Sequence, residues 1–275
     1  MLIQKRKVDE SSPAFVIAEI SANHRHNYDL ALKTIEAIKK SGADAVKLQT
    51  YTPDTITIKS SKKDFKIDQG TIWDGRTLYD LYQEAYTPWE WQPKLKKYAE
   101  KLGLICFSSP FDNTAVDFLE KMKVPAYKVA SFEITDIPLI KYMASKNKPM
   151  IISTGIATLE DIELAIKTCK DVGNEQIILL KCTSTYPTPL ERVNLKTMLD
   201  MKKKFNVLVG VSDHTTGIAV PIAAVAMGAK VIEKHVILDR SLGGPDSQFS
   251  LEPAELKNLV MTIRDVEKAL GKVTY

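Results

Sequence analysis

The chain has 275 residues, 44% of them hydrophobic and 26% charged, with 38 basic and 34 acidic side chains and a net charge of +4. That composition is globular, with enough chain to bury a large core as one domain or two. The mild basic excess does not argue for a nucleic-acid binder and suits a small anionic substrate. No apolar run is long enough to cross a membrane, and the N-terminus, MLIQKRKVDE, lacks the apolar stretch of a signal peptide. Cys106, Cys169 and Cys182 are too sparse and irregular for a disulfide scaffold and fit a reducing, cytoplasmic location. Cys106 and Cys182 sit in apolar runs and read as core.

Residues 15–20 (FVIAEI) form a short apolar run that reads as a strand ending near Glu19. Residues 28–40 carry Leu30, Ala31, Ile35 and Ile38 at helical spacing, and Ser41-Gly42 ends that helix. A second strand follows at 45–49 (AVKLQ), so the chain opens as strand, helix, strand, which implies a parallel sheet. An insertion over 50–87 then breaks the rhythm, far longer than the roughly 2–6 residues of an ordinary strand–helix loop. It holds Lys59, Lys62, Lys63 and Lys66, then Trp73, Tyr79, Tyr82 and Tyr86, with a short helix over 78–85. A long loop at this point reads as a lid or binding element, and its lysines as solvated surface.

The rhythm resumes with a helix at 88–101 and a strand at 104–108, a helix at 114–122 and a strand at 126–130, then a helix near 138–145 and a strand at 149–153. Beyond these come a helix at 159–170, strand 177–182, helix 195–205, strand 207–212, helix 217–227, strand 231–236 and helix 253–270. Eight strand–helix units in one chain of this size predict an α/β fold, a closed (β/α)8 TIM barrel. An open doubly wound sheet is the alternative, and no Gly-rich dinucleotide turn follows the first strand to support it.

In such a barrel the active site lies at the carboxyl ends of the strands. Those ends carry Glu19; Lys47 and Gln49; Ser108 and Ser109; Lys128 and Ser131; Ser153 and Thr154; Lys181, Thr183 and Ser184; Ser212, Asp213 and His214; Glu233 and His235. Residues two apart share a strand face, so Lys47 with Gln49, and Glu233 with His235, can point together into the mouth. Lys47 and Lys128 among the hydroxyls of Ser109, Ser131, Ser153, Ser184 and Ser212 make a cradle for phosphate or carboxylate. His214 and His235, at the ends of adjacent strands, read either as ligands of Mn²⁺, Fe²⁺, Co²⁺ or Zn²⁺ or as two separately hydrogen-bonded histidines. His24 and His26 read as surface loop residues. Glu19 is a carboxylate facing two lysines, a general base or a counter-ion, and Asp246 is a further acid at the rim. A Schiff-base aldolase using Lys128 or Lys181 fits the same pattern.

The segments IAEISANH, ADAVKLQTYTPDTIT, CFSSPFD, AYKVASFE, ISTGIAT, KCTSTYPTP, VGVSDHT, VIEKHV and DSQFSLEP occur in order from Phe15 to Pro253. Together they resemble the catalytic barrel of the sialic acid synthase family, and SANH, QTYTPD, WDGRTLYDLYQEA and CFSSPFD are most similar to its pseudaminic branch. The resemblance implies a metal-dependent transferase of cell-surface carbohydrate biosynthesis, flagellin glycosylation included. Phosphoenolpyruvate would condense with an acetamido sugar, here 2,4-diacetamido-2,4,6-trideoxy-L-altrose, and phosphate would leave by C–O cleavage. It assigns phosphoenolpyruvate to Lys47, Ser109, Lys128, Ser131, Ser153, Ser184 and Ser212, and a divalent ion, Mn²⁺ with Mg²⁺ or Co²⁺ as alternatives, to His214 and His235. Glu19 falls near the reacting carbons, and Gln49, Phe111, Glu133, Tyr186 and Asp246 fall where the sugar is contacted. Ser184 and Ser109 stand where the sialic branch has Asn and Thr, and no Schiff base is formed in the family. N-acetylneuraminate or legionaminate synthesis, or a non-catalytic phosphoenolpyruvate- and metal-binding barrel, are the alternatives. The family continues into a small antifreeze-like domain that reaches the partner's active site in a homodimer. This chain stops at ALGKVTY, so a single barrel over 1–275 without that domain is expected.

Overall fold

Eight short apolar strands pair in parallel and close into a barrel. The computed structural model describes residues 1–68 and 73–275. A small antiparallel hairpin of β1 (Leu2–Ile3) and β2 (Arg6–Lys7) comes first. The barrel strands are β3 (Phe15–Glu19), β4 (Ala45–Thr50), β5 (Ile105–Pro110), β6 (Tyr127–Val129), β7 (Met150–Ser153), β8 (Ile177–Cys182), β9 (Leu208–Asp213) and β10 (Val231–His235). Closure pairs β10 with β3, setting His235 opposite Glu19. The helices are α1 (Tyr28–Ser41), α2 (Pro53–Ile56), α3 (Leu78–Ala85), α4 (Gln92–Lys101), α5 (Asn113–Lys121), α6 (Ile137–Ala144), α7 (Leu159–Asp171), α8 (Lys196–Phe205), α9 (Ala219–Ala226) and α10 (Pro253–Leu270).

The strands are buried on both faces, by barrel interior and by helices, which is why they read as continuous apolar runs rather than as alternation. Their ends are set by local chemistry. Asn27 caps α1 by accepting from the Leu30 N–H, and Gly42, at φ +86°, ends it in the left-handed region. Thr158 and Asp161 form a reciprocal capping box on α7. At Gly210 a Cβ would lie 1.9 Å from the Val231 carbonyl oxygen, so only glycine lets β9 and β10 approach this closely.

The β1–β2 hairpin is not among the predicted elements. Two-residue strands are too short to show a period, although Ile3 in β1 and Val8 just after β2 are buried. Within the 50–87 insertion, α2, a 3₁₀ turn at Lys63–Phe65 and α3 supply order, and the helix predicted over 78–85 is α3. Residues 69–72 of the insertion lie outside the described residues. Lys59, Lys62, Lys63 and Lys66 are exposed. Among the described residues no helix is long and apolar enough to cross a membrane.

Candidate active site

Strand alternation delivers one set of strand-end residues to the mouth and turns the other set away. Lys47, Gln49, Lys128, Ser153, Ser212 and Glu233 line a cavity of about 220 Å³ at the carboxyl end of the barrel. Ser131, Tyr186, His214, His235 and Asp246 join them from the strand ends and loops, and Tyr51, Leu81, Tyr82 and Ala85 bring an aromatic and aliphatic wall from the insertion. Thus the expected binding role of the insertion has a geometric basis.

At the floor, Lys47 Nζ lies 2.6 Å from Glu19 Oε2 and 3.3 Å from Glu233 Oε1, with every side chain almost fully buried. It also reaches Ser109 Oγ at 3.3 Å. Lys128 Nζ donates to Ser153 Oγ at 2.6 Å and stands 3.9 Å from Glu233 Oε1. Ser212 donates to the same Glu233 oxygen at 2.9 Å. The carboxylate between the two lysines is therefore Glu233, not Glu19, which pairs with Lys47 alone. Glu233 is a site residue that the strand period places at the mouth with His235, without assigning it a role. Its parity with His235 was the available signal. Burial opposes ionisation of Glu233, but Lys128, Lys47 and the Ser212 hydroxyl outweigh it and hold the carboxyl below its usual range. Burial depresses Lys47 to about 8, with Lys128 adding to the effect and Glu233 opposing it.

The two histidines meet at the mouth beside this cluster, their ring centroids 5.3 Å apart, with His235 the register partner of Glu19. Tyr186 and Phe249 flank the His214 ring at 4.6 Å and 5.7 Å. Burial lowers His214 to about 4 and His235 well below 6.5, so both are neutral imidazoles near pH 7, the form that ligates metal. His214 Nδ1 sits 3.4 Å from the Thr183 carbonyl, an acceptor that favours the tautomer with its proton on Nδ1 and Nε2 as the ligand atom. His235 Nδ1 is buried with no hydrogen-bond partner, 3.7 Å from Asp246 Oδ2. Two free imidazole nitrogens fit a borderline divalent ion. Among the described residues no three His, Cys, Asp or Glu side chains converge as ligands, so water or substrate oxygen would fill the remaining positions.

Ser184, Phe111 and Glu133 lie around this centre without lining the cavity. Ser184 donates to Ser131 Oγ at 2.8 Å, and Ser131 in turn accepts from the Ile156 N–H at 3.1 Å. A Cβ on Gly155 would lie 2.3 Å from Ser184 Oγ and 2.5 Å from Ser131 Oγ, so this glycine allows the serine pair to form. Phe111 packs on Tyr51 at 5.2 Å. Glu133 has a buried oxygen without a hydrogen-bond partner, and burial raises its carboxyl to about 7. Asp246 is likewise raised by burial.

Several expectations are corrected. Asp213 faces away from the mouth and pairs with Lys234 at 2.6 Å. Lys181 bonds to Thr183 Oγ1 at 3.0 Å outside the cavity, so it is not placed to act as the Schiff-base nucleophile there. Ser108 bonds to Thr50 at 2.6 Å, and Thr154 to the Leu180 carbonyl, both away from the cavity. His24 is fully buried rather than on the surface, bonding to Thr87 Oγ1 at 2.9 Å, whereas His26 is exposed. Cys182 is buried as expected, yet it lines the cavity with Sγ 3.8 Å from His214 Nδ1.

A (β/α)8 barrel with buried lysines, serines and two neutral histidines at its carboxyl mouth has the layout of an enzyme active site. The NeuB family profile matches residues 34–275. Pseudaminic acid synthase from Campylobacter jejuni subsp. jejuni serotype O:2 is 50% identical over 257 residues, covering 94% of this chain and 75% of its own length. N,N'-diacetyllegionaminic acid synthase from Legionella pneumophila is 42% identical over 265 residues, covering 95% and 74%. The crystal structure of N-acetylneuraminic acid synthetase from Leptospira borgpetersenii superposes with a TM-score of 0.90 at 31% identity, covering 100% of this chain and 90% of that one. The chain belongs to the NeuB family, the sialic acid synthases, and is an enzyme of that family.

Proposed function

We propose that the protein is a pseudaminic acid synthase: it condenses phosphoenolpyruvate with the open-chain aldehyde of 2,4-diacetamido-2,4,6-trideoxy-L-altrose and water, releasing phosphate. The observation that carries this reading is the meeting, in one cavity, of the lysine–serine floor and the neutral histidine pair. The C2=C3 π electrons of phosphoenolpyruvate form the bond from C3 to the sugar's aldehyde carbon, and the aldehyde oxygen takes a proton to become a hydroxyl. Water adds at C2, and the C2–O bond to phosphate breaks.

Lys47 and Lys128 neutralise the carboxylate and phosphate of phosphoenolpyruvate, and Ser109, Ser131, Ser153, Ser184 and Ser212 supply hydroxyl donors around them. These groups are already buried and hydrogen-bonded, so little reorganisation is needed when the anion binds. Glu19, beside Lys47, orients the attacking water and takes its proton. Glu233 balances both lysines and keeps their heads apart. His214 and His235 hold a divalent ion, which when bound supplies Lewis-acid polarisation of the aldehyde oxygen. Gln49, Phe111, Glu133, Tyr186 and Asp246 serve the sugar end. The apolar wall of Tyr51, Leu81, Tyr82 and Ala85 suits the methyl groups of a diacetamido-trideoxy sugar. The 50% identity to a pseudaminic acid synthase supports the same sugar. We infer a homodimer acting in the cytoplasm.

The test is phosphate release from phosphoenolpyruvate with Mn²⁺ and each of three sugars: the altrose derivative, N-acetylmannosamine and the legionaminate precursor. Release with the altrose derivative alone supports the reading. Release with either of the others moves the protein to that branch, and release with none refutes synthase activity.

A further inference from the structure

Behind the two histidines, on the helix-facing side of the same strands, lies a buried ion pair that no step above uses. Lys234 and Asp213 are direct register partners on β10 and β9. Their side chains are 0% and 2% exposed, and Lys234 Nζ lies 2.6 Å from Asp213 Oδ2. Lys234 also donates to the Thr215 carbonyl. Asp213 Oδ1 accepts the Thr215 N–H at 3.0 Å, and Oδ2 accepts the Thr215 hydroxyl at 3.1 Å. Glu255 of α10 is the further charge acting on the lysine.

The placement of these bonds is specific. Asp213 and Thr215 are the two chain neighbours of His214, and Lys234 is the neighbour of both Glu233 and His235. His214 stands just past the end of β9, where the ladder no longer fixes the backbone. The turn 213–215 is instead tied to itself by Asp213 and to β10 by Lys234. A buried ion pair is a poor stabiliser, since desolvation offsets its Coulomb attraction and an apolar pair of similar size often does as well. Its place on the other face of the strands that carry both imidazoles points to another purpose.

We propose that the Lys234–Asp213 pair is a positioning clamp that sets the separation and orientation of His214 and His235, and so the affinity of the two-histidine site for a divalent ion. Neither residue touches the ion or substrate. This rests on the two-histidine reading, and the experiment separates the two. Outer partners of metal ligands that orient a site change metal affinity by roughly 10–100-fold when removed. The clamp therefore acts on metal binding and leaves the anion floor, built on other side chains, as it is.

The experiment is calorimetric titration of Mn²⁺, and separately of phosphoenolpyruvate, into the parent chain, His214→Ala and the double variant Asp213→Asn/Lys234→Met. The double variant removes both charges together, so no unpaired buried charge opposes folding, and a thermal melt verifies the fold. The expected result is a Kd for Mn²⁺ raised at least about tenfold in the double variant, with phosphoenolpyruvate affinity within about threefold of the parent. A folded double variant with unchanged Mn²⁺ affinity overturns the clamp alone, provided His214→Ala abolishes binding. If His214→Ala also binds Mn²⁺ unchanged, the two-histidine site fails and the clamp with it. Should the double variant not fold, Lys234→Arg answers the same question: its wider planar head cannot reproduce both bonds, and unchanged Mn²⁺ affinity there overturns the proposal.

Discussion

Replacing Gly155 by alanine tests the anion floor with one methyl group. The added carbon would sit 2.3 Å from Ser184 Oγ, 2.5 Å from Ser131 Oγ and 3.2 Å from Cys182 Sγ. Both serine hydroxyls must rotate away, because neither contact is tolerable. That rotation breaks the Ser184–Ser131 bond of 2.8 Å and the Ile156 N–H bond to Ser131 of 3.1 Å. At about 1 kcal/mol net for each neutral hydrogen bond, the fold loses about 2 kcal/mol. Binding loses more, since the Ser131 hydroxyl that these bonds hold at the cavity would contribute roughly 1.5–3 kcal/mol to a bound anion. Its loss is expected to raise KM for phosphoenolpyruvate at least about tenfold. Steady-state phosphate release at varied phosphoenolpyruvate, beside a urea melt, measures both quantities. A KM within about twofold of the parent would refute the serine cradle.

Lys47→Met leaves Glu19 and Glu233 buried without their shared cation, which costs about 3–5 kcal/mol; a loss below about 1 kcal/mol in urea denaturation contradicts the buried-pair geometry. Burial raises Glu133 from 4.5 to about 7, with Lys128 and Lys47 lowering and Asp136, Tyr82 and Tyr186 also nearby. Between those values the folded state holds a proton that the unfolded state has lost, so stability falls as pH rises through this window and levels off above it. Glu133→Gln should remove that slope, and an identical pH profile of melting temperature in the variant counts against a buried, neutral Glu133. Tyr82→Ala should raise KM for the sugar about tenfold and leave that for phosphoenolpyruvate unchanged, because only the apolar wall is cut back; equal effects on both substrates would remove the wall from sugar recognition. Gly210→Ala should not yield folded protein in a soluble-expression assay, since its Cβ would overlap the Val231 carbonyl at 1.9 Å.

The barrel was legible because its signal is local. Strands buried on both faces must be continuously apolar, and helices packed on them must repeat every three to four residues. The run VIEKHVI therefore declared a strand, and its period of two put Glu233 and His235 on one face. The same rule shows that Asp213 and Lys181 face away from the residues that line the mouth. Strand-end residues taken without that parity include both faces. Missing altogether was anything set by register between strands distant in sequence. Glu233 lies between Lys47 and Lys128 only because β4, β6 and β10 share one barrel interior, and nothing local in any of these strands states those distances. His24 is similar: a loop histidine by its neighbours, it is buried because Thr87, at the end of the insertion, comes back to meet it. Gly155 carries no left-handed backbone requirement, and its reason is two serines 24 and 29 residues away in the chain. By itself the sequence determined which segments are strands and helices, since periodicity and caps act within a few residues. Only the tertiary structure decided which polar ends meet, which lysine has which carboxylate, and which glycine must have no side chain, because those follow from closing the sheet.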